Sequence, residues 1–350
     1  MAAGDSGVNR IDGESAGLAG RLLDVLRERL AAPDLTFSAP PERLGGGFWA
    51  EMLVLRLANV PAGFPSEVVA RVMPDAALAR REAVAQTGVV DQGFAAPRVR
   101  LTGGPDDAIG RPWSVMDLVA GEPLLAGLSG VAALARLPAL ARQLPDRLAT
   151  VTARLHALDA RPIRQELEQV TGGEIGVDGL LEHFARRARE LDRSDLERVS
   201  RWLADHRPSP GRMVVCHGDI HPFNVLADGD RLWLVDWTAA QVAAPEYDVA
   251  FTALLLGLPP LQAPRPLGPA IRFAARAVAR RFVSRYRHHA SGAGIVLDDA
   301  ALRWHSVLHS LRVLVNVADW IAGGQLEARA GHPWLAMAPR LEARIAGAIA

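Results

Sequence analysis

The spacing of hydrophobic residues near the N-terminus predicts a helix. In residues 16–31, leucine recurs at every fourth position. Side chains at this spacing share one face of an α-helix, so the segment is predicted to be an amphipathic helix with one buried stripe. The leucines of that stripe are Leu18, Leu22, Leu26 and Leu30.

Residues 35–121 have a different pattern, made of short apolar runs separated by glycine, proline and aspartate. The runs are "EMLVLRLAN", "SEVVARVM", "PRVRLTGG" and "RPWSVMDLV". Their length and their turn-forming borders predict β-strands. One stretch between them, "AALARREAVAQTGVV", has the spacing of a helix.

Beyond Gly121 the pattern is almost wholly helical, and one segment interrupts it. This segment is "MVVCHGDIHPFNVLADGDRLWLVDW", in which "ADGDR" predicts a hairpin turn between two strands. The expected fold class is therefore α+β. We predict a helical extension at residues 1–33, a small β-rich lobe at 34–121 and a large, mainly helical lobe at 122–350. A cleft between two lobes is a common place for a ligand.

Composition narrows the classes of function. The 350 residues have a formal net charge of zero, so no basic excess is present to bind a nucleic acid. The first twenty residues contain no apolar segment typical of a signal peptide, and the most apolar stretch, "VAFTALLLGLPPLQAP", is too short to span a bilayer. The single cysteine, Cys216, suits a reducing compartment. We expect a cytoplasmic protein with no nucleic-acid or membrane partner.

Three polar side chains follow the buried strands of the interrupting segment. Asp219 and Asn224 come after "MVVC", and Asp236 directly follows "RLWLV". A carboxylate at the edge of a core is costly unless something pairs with it. Because oxygen ligands suit a hard cation such as Mg²⁺, a metal ion is one candidate partner, and Asp219 would remain available as a proton acceptor.

Two other interpretations of these residues stay open at this point. Aspartate and asparagine are common in turns, so each residue alone could simply cap a loop. Alternatively, "HGDIH" could be a hydrolase site in which His217, Asp219 and His221 bind a transition metal. That alternative makes no prediction about the first 121 residues.

The combined pattern resembles the aminoglycoside phosphotransferase family, whose relatives include choline kinases and protein kinases. "HGDIHPFN" is similar to the family's catalytic loop, and the "LVDW" that follows is similar to its metal-binding segment. The resemblance implies a bilobal protein-kinase-like fold, with ATP or GTP as phosphate donor. It makes Asp219 the catalytic base and makes Asn224 and Asp236 the ligands of Mg²⁺. His217 and His221 would shape the loop.

The same resemblance implies two further features. "PEYDVAF" matches the family's segment in which an aspartate, here Asp248, braces the catalytic loop. In the small lobe, Arg71 stands on an otherwise apolar strand, and Glu82 follows eleven residues later in a helix. Kinase-like folds use such a pair to hold nucleotide phosphates, usually with lysine in place of Arg71. The alternative is a surface ion pair of little energetic value.

Other segments of the small lobe are assigned to nucleotide binding on the resemblance. "LGGGFWAEM" is similar to the turn that covers phosphates, with Gly46 and Gly47 contributing backbone N–H groups. Ala50 lacks the hydroxyl or amide that the family often carries there. "WSVMDLVAGEPL" resembles the linker between the lobes.

In that linker, Met116 would form the back wall of a nucleotide pocket, and the backbone of Asp117 and Val119 would meet the adenine edge. Plain core packing is an equally compatible role for Met116.

The resemblance makes the protein a kinase that phosphorylates a hydroxyl group of a small molecule. "TAAQVAAPEYD" follows "VDW" directly, which leaves no room for a long loop that would dock a protein substrate. Residues 251–350 contain twelve arginines and five acids, which disfavours a polycationic aminoglycoside and favours a neutral or anionic acceptor. Trp304 and Trp320 could offer flat apolar surface to it, or could be core residues. The competing class is a catalytically silent nucleotide-binding module, and the sequence leaves the oligomeric state undecided.

Overall fold

The structure is a computed structural model of the chain. It describes residues 8–10, 12–45, 50–126, 131–171, 176–209, 211–259 and 268–349. Two compact units are present, and each is described by itself below. Unit 1 comprises Met1–Ala126 and Leu226–Thr238, and unit 2 comprises Gly127–Val225 and Ala239–Ala350.

The strands are β1 (Val8–Arg10), β2 (Thr36–Phe37), β3 (Glu42–Leu44), β4 (Glu51–Ala58), β5 (Glu67–Val72), β6 (Val99–Gly103), β7 (Trp113–Asp117), β8 (Glu122–Pro123), β9 (Val214–Cys216), β10 (Val225–Asp228), β11 (Arg231–Leu234) and β12 (Gln241–Ala243). The helices are α1 (Gly13–Arg29), α2 (Ala76–Asp91), α3 (Val131–His156), α4 (Ala160–Thr171), α5 (Val177–Glu190), α6 (Ser194–Asp205), α7 (Glu246–Gly257), α8 (Gly268–Ala290), α9 (Asp299–Ala322) and α10 (Pro333–Ala348). The four apolar runs predicted as strands contain β4, β5, β6 and β7, the predicted helix between them is α2, and further short strands are present.

An antiparallel sheet forms the framework of unit 1. Its strand order is β1-β3-β4-β5-β7-β6, and β2 pairs with β4. In the centre, β4 pairs with β5 so that Met52 lies opposite Arg71, and β5 pairs with β7 so that Arg71 lies opposite Ser114. The register therefore fixes Arg71 in the middle of the sheet, with a strand on either side.

The N-terminal helix belongs to the core of unit 1. Asp12 caps α1 by accepting a 2.8 Å hydrogen bond from the backbone N–H of Ser15. Leu18, Leu22 and Leu26 are at most 1% exposed and pack in one cluster with side chains of β4, β5 and β7. The predicted amphipathic stripe is confirmed, and it seals the sheet on the face that it covers.

Two further short sheets contain strands of the interrupting segment. β10 and β11 form the predicted hairpin, and β8 extends it into a three-stranded sheet of order β11-β10-β8. β9 pairs with β12 in antiparallel fashion. The sequence pattern did not predict β8 or β12, because strands of two or three residues are too short for an alternating pattern and depend on a distant partner.

Helices form most of unit 2, and most residues of α7 and α9 are buried. α9 packs against α7 and α10, and α8 packs against α3 and α7. Trp304 and Trp320 are 4% and 3% exposed, so both are core residues. Trp304 also donates its ring N–H to the carbonyl of Leu203. No helix in the described part of the chain has the length and apolarity needed to cross a membrane.

Two buried histidines on α9 make unit 2 sensitive to acid. Burial lowers the pKa of His305 from 6.5 to about 4, and burial also holds the pKa of His309 well below 6.5. Both rings donate a hydrogen bond to a carbonyl, His305 to Ala301 and His309 to Tyr247. They are therefore packed as neutral rings.

The first prediction is a loss of stability as pH falls below 6.5. The unfolded chain takes up a proton at His305 near pH 6.5 and the folded chain only near pH 4, so acid favours unfolding. From His305 alone we expect a loss of about 2 kcal/mol between pH 7 and pH 5. Urea unfolding at several pH values measures how the free energy of unfolding changes with pH. His305→Gln should flatten the dependence, and His288→Gln, at an exposed position of α8, should not. Identical slopes for wild type and His305→Gln would contradict the assignment.

Candidate functional site

The polar loop after β9 has a backbone that requires glycine. Gly218 has a φ of 77°, and a Cβ atom at this position would lie 2.4 Å from the carbonyl oxygen of Ala239. Any other residue would therefore be strained and would clash with backbone. This explains why a glycine stands between the histidine and the aspartate of "HGD".

Asp248 on α7 holds this loop. Its carboxylate is completely buried and accepts hydrogen bonds from the backbone N–H groups of His217, at 2.8 Å, and Gly218, at 2.6 Å. His156 Nε2 lies 3.1 Å from the same carboxylate, and Nδ1 of that ring lies 2.6 Å from the hydroxyl of Tyr286. A second bond from α7, Thr252 Oγ1 to the carbonyl of Ile220, fixes the middle of the loop.

Asp219 is presented by the loop as an accessible carboxylate. Its side chain is 27% exposed, and one oxygen lies 3.6 Å from Nε2 of His221. Burial alone would raise its pKa, but the charge and hydrogen bond of His221, together with Arg312 and His217, hold the pKa of Asp219 well below its usual range. Asp219 is therefore ionised at neutral pH and can accept a hydrogen bond or a proton.

The two loop histidines use their rings to shape the backbone. Nδ1 of His217 accepts the N–H of Asp219, and Nδ1 of His221 accepts the N–H of Phe223, each at 3.3 Å. These bonds fit the loop-shaping role that the resemblance implies.

A transition-metal site at "HGDIH" is not favoured by the geometry. Among the described residues, one group of three His, Cys, Asp or Glu side chains has ligand atoms within 4.8 Å of one another, and it is His156, Cys216 and Asp248. His156 and Asp248 of that group already serve as the loop brace described above, and the group does not include Asp219.

Asn224 stands at the end of the loop, directly before β10. Its side chain is buried, and Nδ2 donates to the backbone carbonyl of Asp219 at 3.0 Å and reaches Oδ2 of Asp219 at 3.4 Å. This orientation fixes the amide, so Oδ1 is its remaining acceptor. No described residue donates a hydrogen bond to that oxygen.

A buried group of charges lies in unit 1. Nε of Arg71 is 3.2 Å from Oε2 of Glu82, and Nη2 of Arg71 is 3.1 Å from Oδ1 of Asp236. Arg71 and Glu82 are about 5% exposed, so the interpretation of this pair as a surface ion pair is wrong. Burial alone would lower the pKa of Arg71, but the two carboxylates raise it. Arg71 is thus a fixed cation.

Glu82 links that group to the segment after β11. It accepts the backbone N–H of Trp237, and burial raises its pKa to about 7 even though Arg71 opposes the rise. Asp236 adopts a φ of 66° and accepts a 2.5 Å hydrogen bond from the hydroxyl of Thr238. Its other oxygen, Oδ2, receives no hydrogen bond from the described residues. A positive φ is uncommon for residues other than glycine, and aspartate is one of the types that adopt it more often.

The predicted nucleotide residues of unit 1 are only partly described. Met116 is buried on β7, where its sulfur lies 3.6 Å from Nε2 of Gln86. Asp117 ends β7 and forms a two-bond ion pair with Arg100. Val119 follows outside regular structure. The predicted phosphate-binding residues Gly46 and Gly47 lie outside the described residues.

Sequence reasoning missed a cluster around Asp219 in unit 2. Arg312 of α9 donates a 2.7 Å hydrogen bond to the carbonyl of Gly218. Its guanidinium carbon lies 4.9 Å from the ring centre of Phe251 and 5.7 Å from that of Trp334. Nothing in the helical spacing of α9 marks this arginine, because its loop partner lies 94 positions earlier in the chain.

Solved structures with the same architecture cover nearly the whole chain. A protein of Ralstonia eutropha JMP134, provisionally classed as an aminoglycoside phosphotransferase, has a TM-score of 0.65 at 16% identity, covering 95% of this chain and 98% of that one. A choline/ethanolamine kinase family protein of Mesorhizobium loti has a TM-score of 0.51 at 18% identity, covering 93% and 94%. The GDP and kanamycin complex of APH(2″)-IIIa has a TM-score of 0.55 at 17% identity, covering 93% and 98%.

At these identities the comparisons establish the fold, which is the α+β protein-kinase-like fold of small-molecule kinases. A family model described as the phosphotransferase enzyme family matches residues 53–280. The chain belongs to that family, so the expected class of enzyme, a small-molecule kinase, is confirmed.

A curated relative covers less of the chain. The protein named "Uncharacterized protein YcbJ" of Bacillus subtilis strain 168 is 28% identical over 123 residues. The match covers 31% of this chain and 37% of that protein.

The second prediction concerns the buried charges of unit 1. Glu82→Leu should lower the free energy of unfolding by roughly 3 kcal/mol, because it removes one of the two carboxylates that neutralise the buried guanidinium of Arg71. The double variant Arg71→Met with Glu82→Leu should be more stable than the sum of the single effects implies, because it leaves neither of these two charges unpaired. Urea unfolding of the wild type, Arg71→Met, Glu82→Leu and the double variant measures the coupling. Additive effects would show that the two side chains do not interact.

Proposed function

We propose that the protein transfers the γ-phosphate of ATP or GTP, in the presence of Mg²⁺, to a hydroxyl group of a small molecule. The observation that carries the proposal is the accessible, ionised carboxylate of Asp219 on a loop that Asp248 holds by two backbone hydrogen bonds. In this role Asp219 orients the acceptor hydroxyl and accepts its proton. The GDP named for one structural relative supports a nucleotide donor.

The donor side of the reaction is assigned to residues of unit 1. Arg71, held by Glu82, would bind phosphate oxygens, since a guanidinium can contact two of them at once. Met116, Asp117 and Val119 would line the adenine site. Gly46 and Gly47 would cover the phosphates with backbone N–H groups. Each of these roles rests on the family resemblance.

Asn224 and Asp236 are the proposed magnesium ligands, and their chemistry fits the ion. Each has one oxygen that accepts no hydrogen bond from the described residues, Oδ1 of Asn224 and Oδ2 of Asp236. Amide and carboxylate oxygens are the donors that Mg²⁺ prefers. When bound, Mg²⁺ neutralises charge on the transferring phosphate.

The acceptor is proposed to be a small molecule that is neutral or anionic. Only residues 237–245 separate Asp236 from α7, which supports a small acceptor over a protein. Most acids of residues 251–350 are already engaged: Asp299 pairs with Arg287, Asp319 with Arg187 and Glu342 with Arg193. Few carboxylates are thus left to neutralise the ammonium groups of a polycation such as kanamycin. Efficient turnover of kanamycin would contradict this part.

A catalytically silent nucleotide-binding module is the second candidate. It is favoured by the pairing of Arg71 with two carboxylates, which leaves less of its charge for a phosphate. The two candidates differ in whether any alcohol is phosphorylated.

A cytoplasmic location and the absence of nucleic-acid and membrane partners remain predictions from the sequence.

The third prediction tests the base. Asp219→Asn should lower acceptor-dependent turnover by roughly 100- to 10,000-fold, because a positioned general base contributes about that factor. Nucleotide affinity should change little. Transfer of labelled γ-phosphate from ATP or GTP to a panel of alcohols measures turnover. Calorimetry measures nucleotide affinity. Asp230→Asn, in the exposed hairpin turn, is the matched control. Near-full turnover by Asp219→Asn would exclude Asp219 as the base.

The fourth prediction tests the metal. Saturating nucleotide should stabilise the wild type by a few kcal/mol at about 100 times the dissociation constant, and more strongly with Mg²⁺ than with EDTA. Asp236→Ala should lose the increment that Mg²⁺ adds. Thermal unfolding with ATP or GTP, in the presence of either Mg²⁺ or EDTA, measures the stabilisation by nucleotide. Asp228→Ala, at an exposed position, serves as the control. An unchanged Mg²⁺ increment would remove Asp236 from the metal site, and activity restored by Zn²⁺ alone would favour the hydrolase interpretation.

A further inference from the structure

Arg312 is a half-buried cation whose position beside the candidate base is unexplained by stability alone. It lies on α9, and one of its nitrogens, Nη1, donates to the carbonyl of Gly218 at 2.7 Å. An arginine has five N–H donors. That single bond is the one hydrogen bond that Arg312 makes within the described part of the chain, so most of its donors are left for another partner.

Arg312 also lacks an acidic partner. No carboxylate of the described residues lies within 4.0 Å of its guanidinium, in contrast to several other arginines of unit 2. Those with an ion pair include Arg187, Arg193, Arg285 and Arg287. Removing a guanidinium from water is costly unless it is paired. A half-buried arginine without an acid is therefore prepared to receive an anion.

The guanidinium of Arg312 influences Asp219 through the loop backbone and through its charge. Its hydrogen-bond acceptor, Gly218, is the residue next to Asp219, and the charge of Arg312 contributes to the low pKa of Asp219. Arg312 is therefore a candidate to contact the part of an acceptor that lies beside the hydroxyl group at Asp219.

An aromatic surface adjoins Arg312. Trp334 is partly exposed, and its ring stacks on that of Trp320 with centres 5.7 Å apart and planes 12° from parallel. His332 meets both rings edge-on. Burial, with the charge of Arg329, lowers the pKa of His332 to about 4, although Asp219 opposes this. The ring of His332 is thus neutral at pH 7 and leaves the anion-binding role to Arg312.

We propose that Arg312 determines acceptor specificity by binding an anionic group of the acceptor, a carboxylate or a phosphate, while the ring of Trp334 packs against a flat apolar part of the same molecule. This inference rests on the proposed function and adds to it the charge and shape of the acceptor. Arginine suits the task because its planar fork contacts two oxygens of a carboxylate or phosphate together.

The test uses acceptors that share a ring and a hydroxyl group and differ in charge. They are 4-(hydroxymethyl)benzoate, 4-(hydroxymethyl)phenyl phosphate, the neutral 4-(hydroxymethyl)benzamide and the cationic 4-(aminomethyl)benzyl alcohol. Calorimetry of the full chain measures their binding. We expect at least one of the two anions to bind about tenfold more tightly than the amide, and the cation to bind most weakly. Which anion binds more tightly distinguishes a carboxylate from a phosphate acceptor.

Three variants separate specificity from structure. Arg312→Gln should remove the preference for the anion and leave amide binding within about twofold. Arg312→Lys, which keeps the charge, should retain part of the preference. Arg303→Gln is the matched control, because it removes the same charge from an exposed position of α9 about 14 Å along the helix. It should preserve the preference.

Two results would overturn the inference: equal affinity of wild type for the anions and the amide, or an anion preference that survives in Arg312→Gln. Phosphate transfer from ATP or GTP to the same compounds is measured in parallel. Binding that depends on Arg312 without any transfer would count against the proposed function and not against the anion site. Transfer that ignores acceptor charge would count against the anion site alone.

Discussion

The bond between Asp248 and the loop after β9 is the constraint on which the rest of the candidate site depends. A fully buried carboxylate is tolerated only when its oxygens are paired, and those of Asp248 are paired by two backbone N–H groups and by His156. Hydrogen bonds to a charged group are worth about 1.5–3 kcal/mol each. The same bonds that stabilise Asp248 hold Gly218 at its positive φ and so fix the direction in which Asp219 points.

The two units use buried charge in different ways. In unit 1, Arg71 lies between two carboxylates in a core of apolar strands, and its geometry is fixed by the sheet on both sides. In unit 2, Arg312 has no carboxylate within 4.0 Å among the described residues, and it contacts a carbonyl and aromatic rings. The ion pairs of Arg71 hold its side chain in place whether or not a ligand is bound. A half-buried cation without a nearby carboxylate keeps more of its charge for a ligand, which is the basis of the anion site proposed at Arg312.

Much of the fold could be predicted from the sequence because its signals are local. The leucine spacing of α1, the apolar runs of β4 to β7 and the turn in "ADGDR" each act within one element, and each is confirmed. The loop after β9 was also recognisable as a candidate site, since its polar residues lie within eight positions. By contrast, β8 and β12 depend on partners far away in the chain, and the placement of Trp320 in the core depends on α10, so a pattern along one segment cannot reveal them.

Arg312 shows why function is harder to predict than fold. On the sequence, it is one of twelve arginines in the last hundred residues, and only an overall charge balance could be argued. In the structure the arginines differ: Arg285 and Arg287 pair with acids, while Arg312 is half-buried and donates to the carbonyl of Gly218, next to Asp219. Charge that matters for recognition is therefore the charge left after internal pairing. By that measure the charge of Arg312 beside Asp219 supports the proposed anionic acceptor over a polyammonium one.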